Sequence, residues 1–276
     1  MLYNLTLASY IFHCFACQLN SYCLSSEHKE IMGHCMEKQL AGKVAIITGA
    51  SGNIGSAIAK RFAKEGACII LIAKNINKLN AIYDSIQESG GDAMLAAVDL
   101  QDFDTIKNFA MSIGTKFKSI DILVLNAAIV GDLSPLQDYE YDLCKRIMDI
   151  NFIANWHLIK YCDPLLKLSP AGRVIAVTSE VTQSLSRYPY WGPYASSKSA
   201  LETMLRIYAT ETKHSKLCVN IVYPPLMYND IYTQAFPTKE IAQSVLPENF
   251  TDKFIELAST QCNVTGEIYK LGPDNE

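Results

Sequence analysis

The chain has 276 residues, 49% of them apolar and 19% charged, with a formal net charge of -4 and a pI near 5.8. Such a chain is long and apolar enough to bury one large core. Its weakly acidic balance, with no dense Lys/Arg run, excludes a phosphate-backbone binder, so nucleic acid is not an expected partner.

Nine cysteines stand at irregular spacings, four of them (Cys14, Cys17, Cys23 and Cys35) in the first 35 residues. They read as reduced thiols of a cytoplasmic chain, because a disulfide framework belongs to small secreted domains. Cys14-x-x-Cys17 has no second Cys/His pair at finger spacing, so no metal is expected. Residues 5–19 are uncharged and mostly apolar, yet no Lys or Arg precedes them and a run of about 15 residues is short for a membrane span. With Met32 and Met36 as later starts, residues 1–35 read as a disordered extension or an over-called start and 36–276 as the folded domain; no membrane association is expected, with a membrane tether as the alternative reading.

From Lys43 onward, short apolar runs alternate with helical spacing. Strands are predicted over 44–48, 68–73, 93–98, 122–125, 174–178, 218–222 and 268–271. Between them, Ile54/Ile58/Ala59/Phe62, Leu79/Ile82/Ile86 and Ile106/Phe109/Ile113 recur at helical intervals. The strands are continuously apolar, which implies burial on both faces and hence parallel pairing. This order predicts an α/β fold: a Rossmann-type doubly wound parallel sheet of about seven strands with helices on both faces, in a single domain. The longest irregular segment, 224–247, reads as a functional lid.

The turn after the first strand is Thr48-Gly49-Ala50-Ser51-Gly52-Asn53-Ile54-Gly55. Backbone N–H groups can approach a pyrophosphate only where side chains are absent, and the helix that follows points its positive dipole end at the phosphates. A lone motif of this kind is also compatible with an ordinary strand-to-helix turn. Tyr-x-x-x-Lys occurs twice. Tyr141/Lys145 reads as a solvated helix face, whereas Tyr194/Lys198 follows a buried strand ending in Ser179 and is embedded in small residues. A tyrosine, with an ordinary pKa of about 10, is a weak acid, and a lysine one helical turn away favours its phenolate.

With both signatures in order, residues 43–271 resemble the short-chain dehydrogenase/reductase family. The resemblance implies an oxidoreductase that interconverts a small-molecule carbonyl and its alcohol. Tyr194 would be the general acid/base, Ser179 would bind the substrate oxygen, Lys198 would hold the nicotinamide ribose, and Asn151 would kink its helix and carry a water to the lysine. It also implies cofactor contacts from Thr48, Gly49, Ser51, Asn53, Ile54 and Gly55, from Asp99 and Leu100 at the adenine, from Asn126 beside the central sheet, and from Pro224 and Asn229 at the nicotinamide.

The chain departs from the family pattern in three places. Asn53 replaces the middle glycine, a position at which Asn is expected to tolerate left-handed geometry. Ile129 and Pro225 also stand where glycine is usual. Ala73 occupies the place of an acidic ribose ligand and Lys74 lies beside it, so NADP(H) is favoured over NAD(H). Arg187-Tyr188-Pro189-Tyr190-Trp191 reads either as the wall of a bulky apolar pocket or as loop packing, and Ser184 and Ser186 are weaker substitutes for Ser179. The family further implies a homodimer or homotetramer. Two other readings stay open: a retained-cofactor epimerase or dehydratase, and a cofactor-binding scaffold without turnover.

Overall fold

The computed structural model describes residues 38–225 and 246–272. Its seven strands are β1 (Val44–Thr48), β2 (Cys68–Ala73), β3 (Asp92–Ala97), β4 (Ile122–Leu125), β5 (Arg173–Val177), β6 (Cys218–Tyr223) and β7 (Ile268–Lys270). They form one sheet in the order β3-β2-β1-β4-β5-β6-β7, and every pair is parallel. The helices are α1 (Asn53–Lys64), α2 (Ile76–Glu88), α3 (Phe103–Lys116), α4 (Tyr141–Met148), α5 (Ala154–Leu168), α6 (Gly192–Glu211) and α7 (Thr251–Ala258).

The alternation of side chains along each strand divides the core into two layers. Ala45, Ile47, Ile69 and Leu71 face α1, α2 and α7, where Phe62, Leu79 and Phe254 fill the space. Ile46, Ile70 and Ile72 face α3, α5 and α6, against Ile106, Leu158 and Leu205. Both faces are therefore dry, which explains why the central strands carry Ile and Val at nearly every position; each such side chain contributes about 1.5–3 kcal/mol by leaving water. The sheet is the expected doubly wound one.

Strand limits shift by one residue. β3 starts at Asp92 and ends at Ala97, and β5 starts at Arg173 because its N–H bonds Asp121 O at 2.8 Å. β6 runs on to Tyr223, and β7 stops at Lys270. Most of the irregular 224–247 segment, and residues 1–37, lie outside the described residues.

Strand order reverses between β1 and β4, and there the connections leave in opposite directions and open a crevice at the strand C-termini. Thr48 closes the floor of that crevice. Its hydroxyl donates to Val124 O (3.2 Å) and accepts the N–H groups of Asn126 (2.9 Å) and Ala127 (3.0 Å). Asn126 returns the link by donating Nδ2 to Thr48 O at 2.9 Å and to Gly49 O at 3.2 Å.

Candidate active site

The crevice is a cavity of about 400 Å³. Its walls include Gly49, Ser51, Asn53 and Ile54 at one end, Lys74, Asp99 and Leu100 at a second, and Ser179, Tyr194, Lys198 and Pro224 at a third. The structure thus brings together residues spread over 176 positions of sequence, from Gly49 to Pro224. Asn126 lines the same space.

The glycine turn is shaped by two of its glycines. Gly49 has φ +62°, and a Cβ there would sit 2.9 Å from Ala127 Cα. At Gly55 a Cβ would run into the Gly49 carbonyl oxygen and lie 2.8 Å from Asn126 Nδ2. Gly52 is the N-cap of α1 with an ordinary φ of -84°, and its N–H donates to Gly49 O at 3.0 Å. Asn53 needs no left-handed geometry, contrary to expectation. It is the first residue of α1, and among described non-glycine residues only Tyr190 has a positive φ. A helix start accepts any side chain that points away from the turn, which is the physical reason a glycine is dispensable there.

At the end of the cavity beside β2 and β3, Lys74 Nζ is 2.7 Å from Asp99 Oδ2. The ammonium holds the Asp99 carboxyl below the usual carboxylate range, against a weaker opposing effect of burial. Asp99 Oδ1 also accepts the Gln101 N–H at 3.1 Å. Asn75 caps α2 by accepting from the N–H groups of residues 77 and 78. Lys78, in the first turn of α2, lines the cavity as a second cation. The sequence did not single it out, because Lys74 precedes the helix and no helical spacing links the two.

At the end of the cavity beside β5, α6 carries Tyr194 and Lys198, both nearly fully buried at 4% and 2% exposure. Lys198 Nζ donates to Val177 O at 2.8 Å and lies 6.0 Å from the Tyr194 ring centroid. Burial pushes the Tyr194 phenol up to about 12, with a hydrogen bond from Ser179 pulling the other way. Burial brings the Lys198 ammonium down to about 8, opposed by the Glu202 carboxylate. Glu202 is itself buried and accepts from Thr182 Oγ1 at 2.7 Å and Gln183 Nε2 at 3.2 Å. It lies four residues after Lys198 and was not singled out from sequence.

Ser179 caps a short 3₁₀ turn (Glu180–Thr182), with Oγ accepting the Val181 N–H at 3.3 Å. Beside it Thr178 lines the cavity with its buried hydroxyl unpartnered, the sort of polar atom a bound ligand satisfies.

Asn151 sits in a π-turn (Asp149–Ile153) that joins α4 to α5, so the chain is distorted at this asparagine. The side chain is fully buried and spent on protein partners: Oδ1 accepts Ile129 N–H at 2.9 Å, while Nδ2 donates to Ile129 O at 2.9 Å and Ser197 Oγ at 3.0 Å. Its carbonyl accepts Asn155 Nδ2 at 2.7 Å. Asn151 is therefore a clamp between the 129 loop and α6, placed behind the cavity wall.

Of the aromatic segment, Trp191 is buried between Tyr188 (centroids 5.9 Å apart) and Tyr194 (5.5 Å), both edge-on, and Tyr188 and Trp191 line the cavity. Arg187 and Tyr190 face outward, and Ser184 and Ser186 do not line the cavity. Tyr141 is 74% exposed and Lys145 pairs with Asp149, so the second Tyr-x-x-x-Lys is a solvated face. Asn229 lies outside the described residues.

The cavity fits a dinucleotide. The Gly49/Gly55 turn leaves backbone where any Cβ would collide, a helix N-terminus follows, and the unpartnered Thr178 hydroxyl stands at the far end.

Comparison with known proteins agrees with this geometry. The short chain dehydrogenase family profile matches residues 43–240. The uncharacterized oxidoreductase YciK of Escherichia coli is 28% identical over 229 residues, covering 81% of this chain and 90% of that protein. The fatty acyl-CoA reductase of Acinetobacter baylyi is 28% identical over 254 residues, covering 86% and 82%. A short chain dehydrogenase of Shigella flexneri, solved complexed with NADP, superposes with a TM-score of 0.80 at 27% identity, covering 85% of this chain and 98% of that one.

Proposed function

The chain belongs to the short-chain dehydrogenase/reductase family of NAD(P)-dependent oxidoreductases, and from that premise we propose that it is an NADP(H)-dependent carbonyl reductase with Tyr194 as the proton donor. The observation that carries the proposal is the convergence of Ser179, Tyr194 and Lys198 on the cavity that also holds the Gly49–Ile54 turn. When bound, the cofactor supplies a hydride. The chain supplies everything else.

Ser179 Oγ holds the substrate oxygen against Tyr194, which burial keeps protonated and so able to donate. Proton transfer to the carbonyl oxygen leaves a phenolate in a dry site. The Lys198 cation, anchored on Val177 O, offsets that charge, and Glu202 keeps the lysine protonated at neutral pH. Tyr188, Trp191 and Val181 give the substrate side an apolar, aromatic wall, which suits a flat or bulky apolar carbonyl compound.

Selection of NADP(H) rests on Lys74 and Lys78 with no acidic residue at position 73. Lys74 is held by Asp99, so a 2′-phosphate draws one cation from an existing pair and meets Lys78 directly. The NADP complex of the Shigella flexneri relative supports the same choice.

We place a second copy of the chain against α5 and α6. An apolar groove lined by Phe152, Trp156 and Ile207 opens there, rimmed by Lys160 and Glu211, so that a two-fold mate sets opposite charges against each other. The described cysteines are all free thiols, which suits the reducing cytoplasm.

Parallel fluorescence titrations with NADPH and NADH test the reading. Tighter binding of NADPH is expected; binding of neither would overturn it in favour of a non-catalytic fold relative.

A further inference from the structure

A second chemical cluster lies at the other end of β6 from Pro224, away from the cavity. Its centre is Arg173, the first residue of β5, which is only 3% exposed. The guanidinium donates to five carbonyls: Gly172 O (2.7 Å), Lys216 O (3.1 Å), Ser259 O (3.0 Å), Thr260 O (3.2 Å) and Cys262 O (2.8 Å). Among the described residues it forms no ion pair. A buried cation satisfied by dipoles alone leaves a positive field for nearby groups able to become anions.

Two thiols stand in that field. Cys218, at the start of β6, donates its thiol to the carbonyl of Cys262 on the turn before β7, and the Cys262 thiol lies 3.7 Å from Val264 O. Asn220 Nδ2 approaches Cys262 Sγ at 3.9 Å, and Cys218 Sγ lies 3.5 Å from Cys262 O. Both cysteines are partly exposed free thiols, so a small oxidant can reach them.

We propose that Cys262 and Cys218 are a hydroperoxide-oxidisable pair, Cys262 the reacting thiolate and Cys218 the resolving thiol, which closes a disulfide between the start of β6 and the turn before β7. The Cys262 thiolate attacks the terminal peroxide oxygen, the O–O bond breaks, and Cys262 becomes a sulfenic acid while the peroxide leaves as alcohol or water. The Cys218 sulfur then attacks the sulfenic sulfur, the S–S bond forms, and the hydroxyl departs with the Cys218 proton as water. In sum, two thiols and one hydroperoxide give a disulfide, an alcohol and water.

The electrostatics run the right way. Donation from Cys218, the Val264 backbone and the Arg173 charge hold the Cys262 thiol below its ordinary value, against burial and Glu256. Glu256 is drawn off by Lys253 at 2.7 Å, and the Tyr269 phenol is the remaining titratable neighbour. Cys218, as the donor, is pushed the other way. Elsewhere burial pushes the thiols of Cys68 and Cys162 up to about 12, so they remain protonated and inert.

The test is mass mapping of the full reduced chain after exposure to hydrogen peroxide, with and without dimedone. Wild type should yield a 218–262 cross-linked peptide lighter by two hydrogens and restored by dithiothreitol. Cys218→Ser should instead accumulate the dimedone adduct on Cys262, at least about tenfold over Cys68, and Cys262→Ser should give neither product. Wild-type alkylation kinetics give a reading that needs no variant: the Cys262 midpoint should fall about one pH unit or more below the ordinary thiol value. Equal labelling of Cys262 and Cys68, or an alkylation midpoint at the ordinary value, would overturn the assignment.

Discussion

Replacing Lys198 by Met should abolish turnover yet relieve the protein of a buried charge, and the size of that relief can be worked from the structure. The lysine is 2% exposed and its ammonium is brought from 10.5 to about 8. A folded-state value below the unfolded one means that the unfolded chain binds the proton more strongly, so stability rises with pH between about 8 and 10.5. Below pH 8 both states are protonated and the whole cost of about 3 kcal/mol is present. Integrating the linkage relation from pH 7 to pH 9.5 gives wild type a gain of about 2 kcal/mol relative to Lys198→Met, in which the titrating group is gone. Tyr194 is common to both proteins, so its own titration largely cancels. The assay is urea unfolding of both proteins at the two pH values. If the difference between them stayed constant across that interval, Lys198 would not be a desolvated cation, and its role in stabilising a phenolate would lose its physical basis.

Other perturbations act at separate points. Gly55→Ala puts a methyl group against the Gly49 carbonyl and Asn126, and should cost about 1–3 kcal/mol in unfolding measurements while weakening NADPH binding by more than about tenfold. Thr48→Val strips the acceptor from two backbone N–H groups; a loss of about 3 kcal/mol in chemical denaturation is expected. In the reductive direction kcat/KM should fall as pH rises through about 8, because Lys198 then loses its charge; a flat profile to pH 10 would contradict that role. Joint replacement of Lys74 and Lys78 by Ala should reduce NADPH affinity while leaving NADH affinity within about twofold, read by fluorescence titration.

The sheet was legible because its strands are buried on both faces. Runs such as Ile69-Ile70-Leu71-Ile72 satisfy two helical layers at once, and no solvent-facing alternation confuses the period. Limits slipped by one residue where pairing depends on a partner strand, as at Arg173, whose N–H donates to Asp121 O. Candidate residues with a fixed local spacing, such as Tyr194 and Lys198, could be named from sequence, and both line the cavity. Contacts made only by folding could not. The Lys74–Asp99 pair joins two strand ends, Asn151 clamps Ile129, and Cys218 meets Cys262 from 44 residues away. Glu202 was a different case: its spacing from Lys198 is visible in the sequence, but only burial shows that it faces the lysine and not water.

The most direct test of the central claim is a turnover experiment with NADPH deuterated at the transferable position, using a panel of apolar aromatic ketones and comparing wild type with Tyr194→Phe. The account predicts deuterium on the product carbinol carbon with wild type, and a variant that still binds NADPH but forms product at least about a hundredfold more slowly. A Tyr194→Phe protein with undiminished deuterium transfer would contradict it.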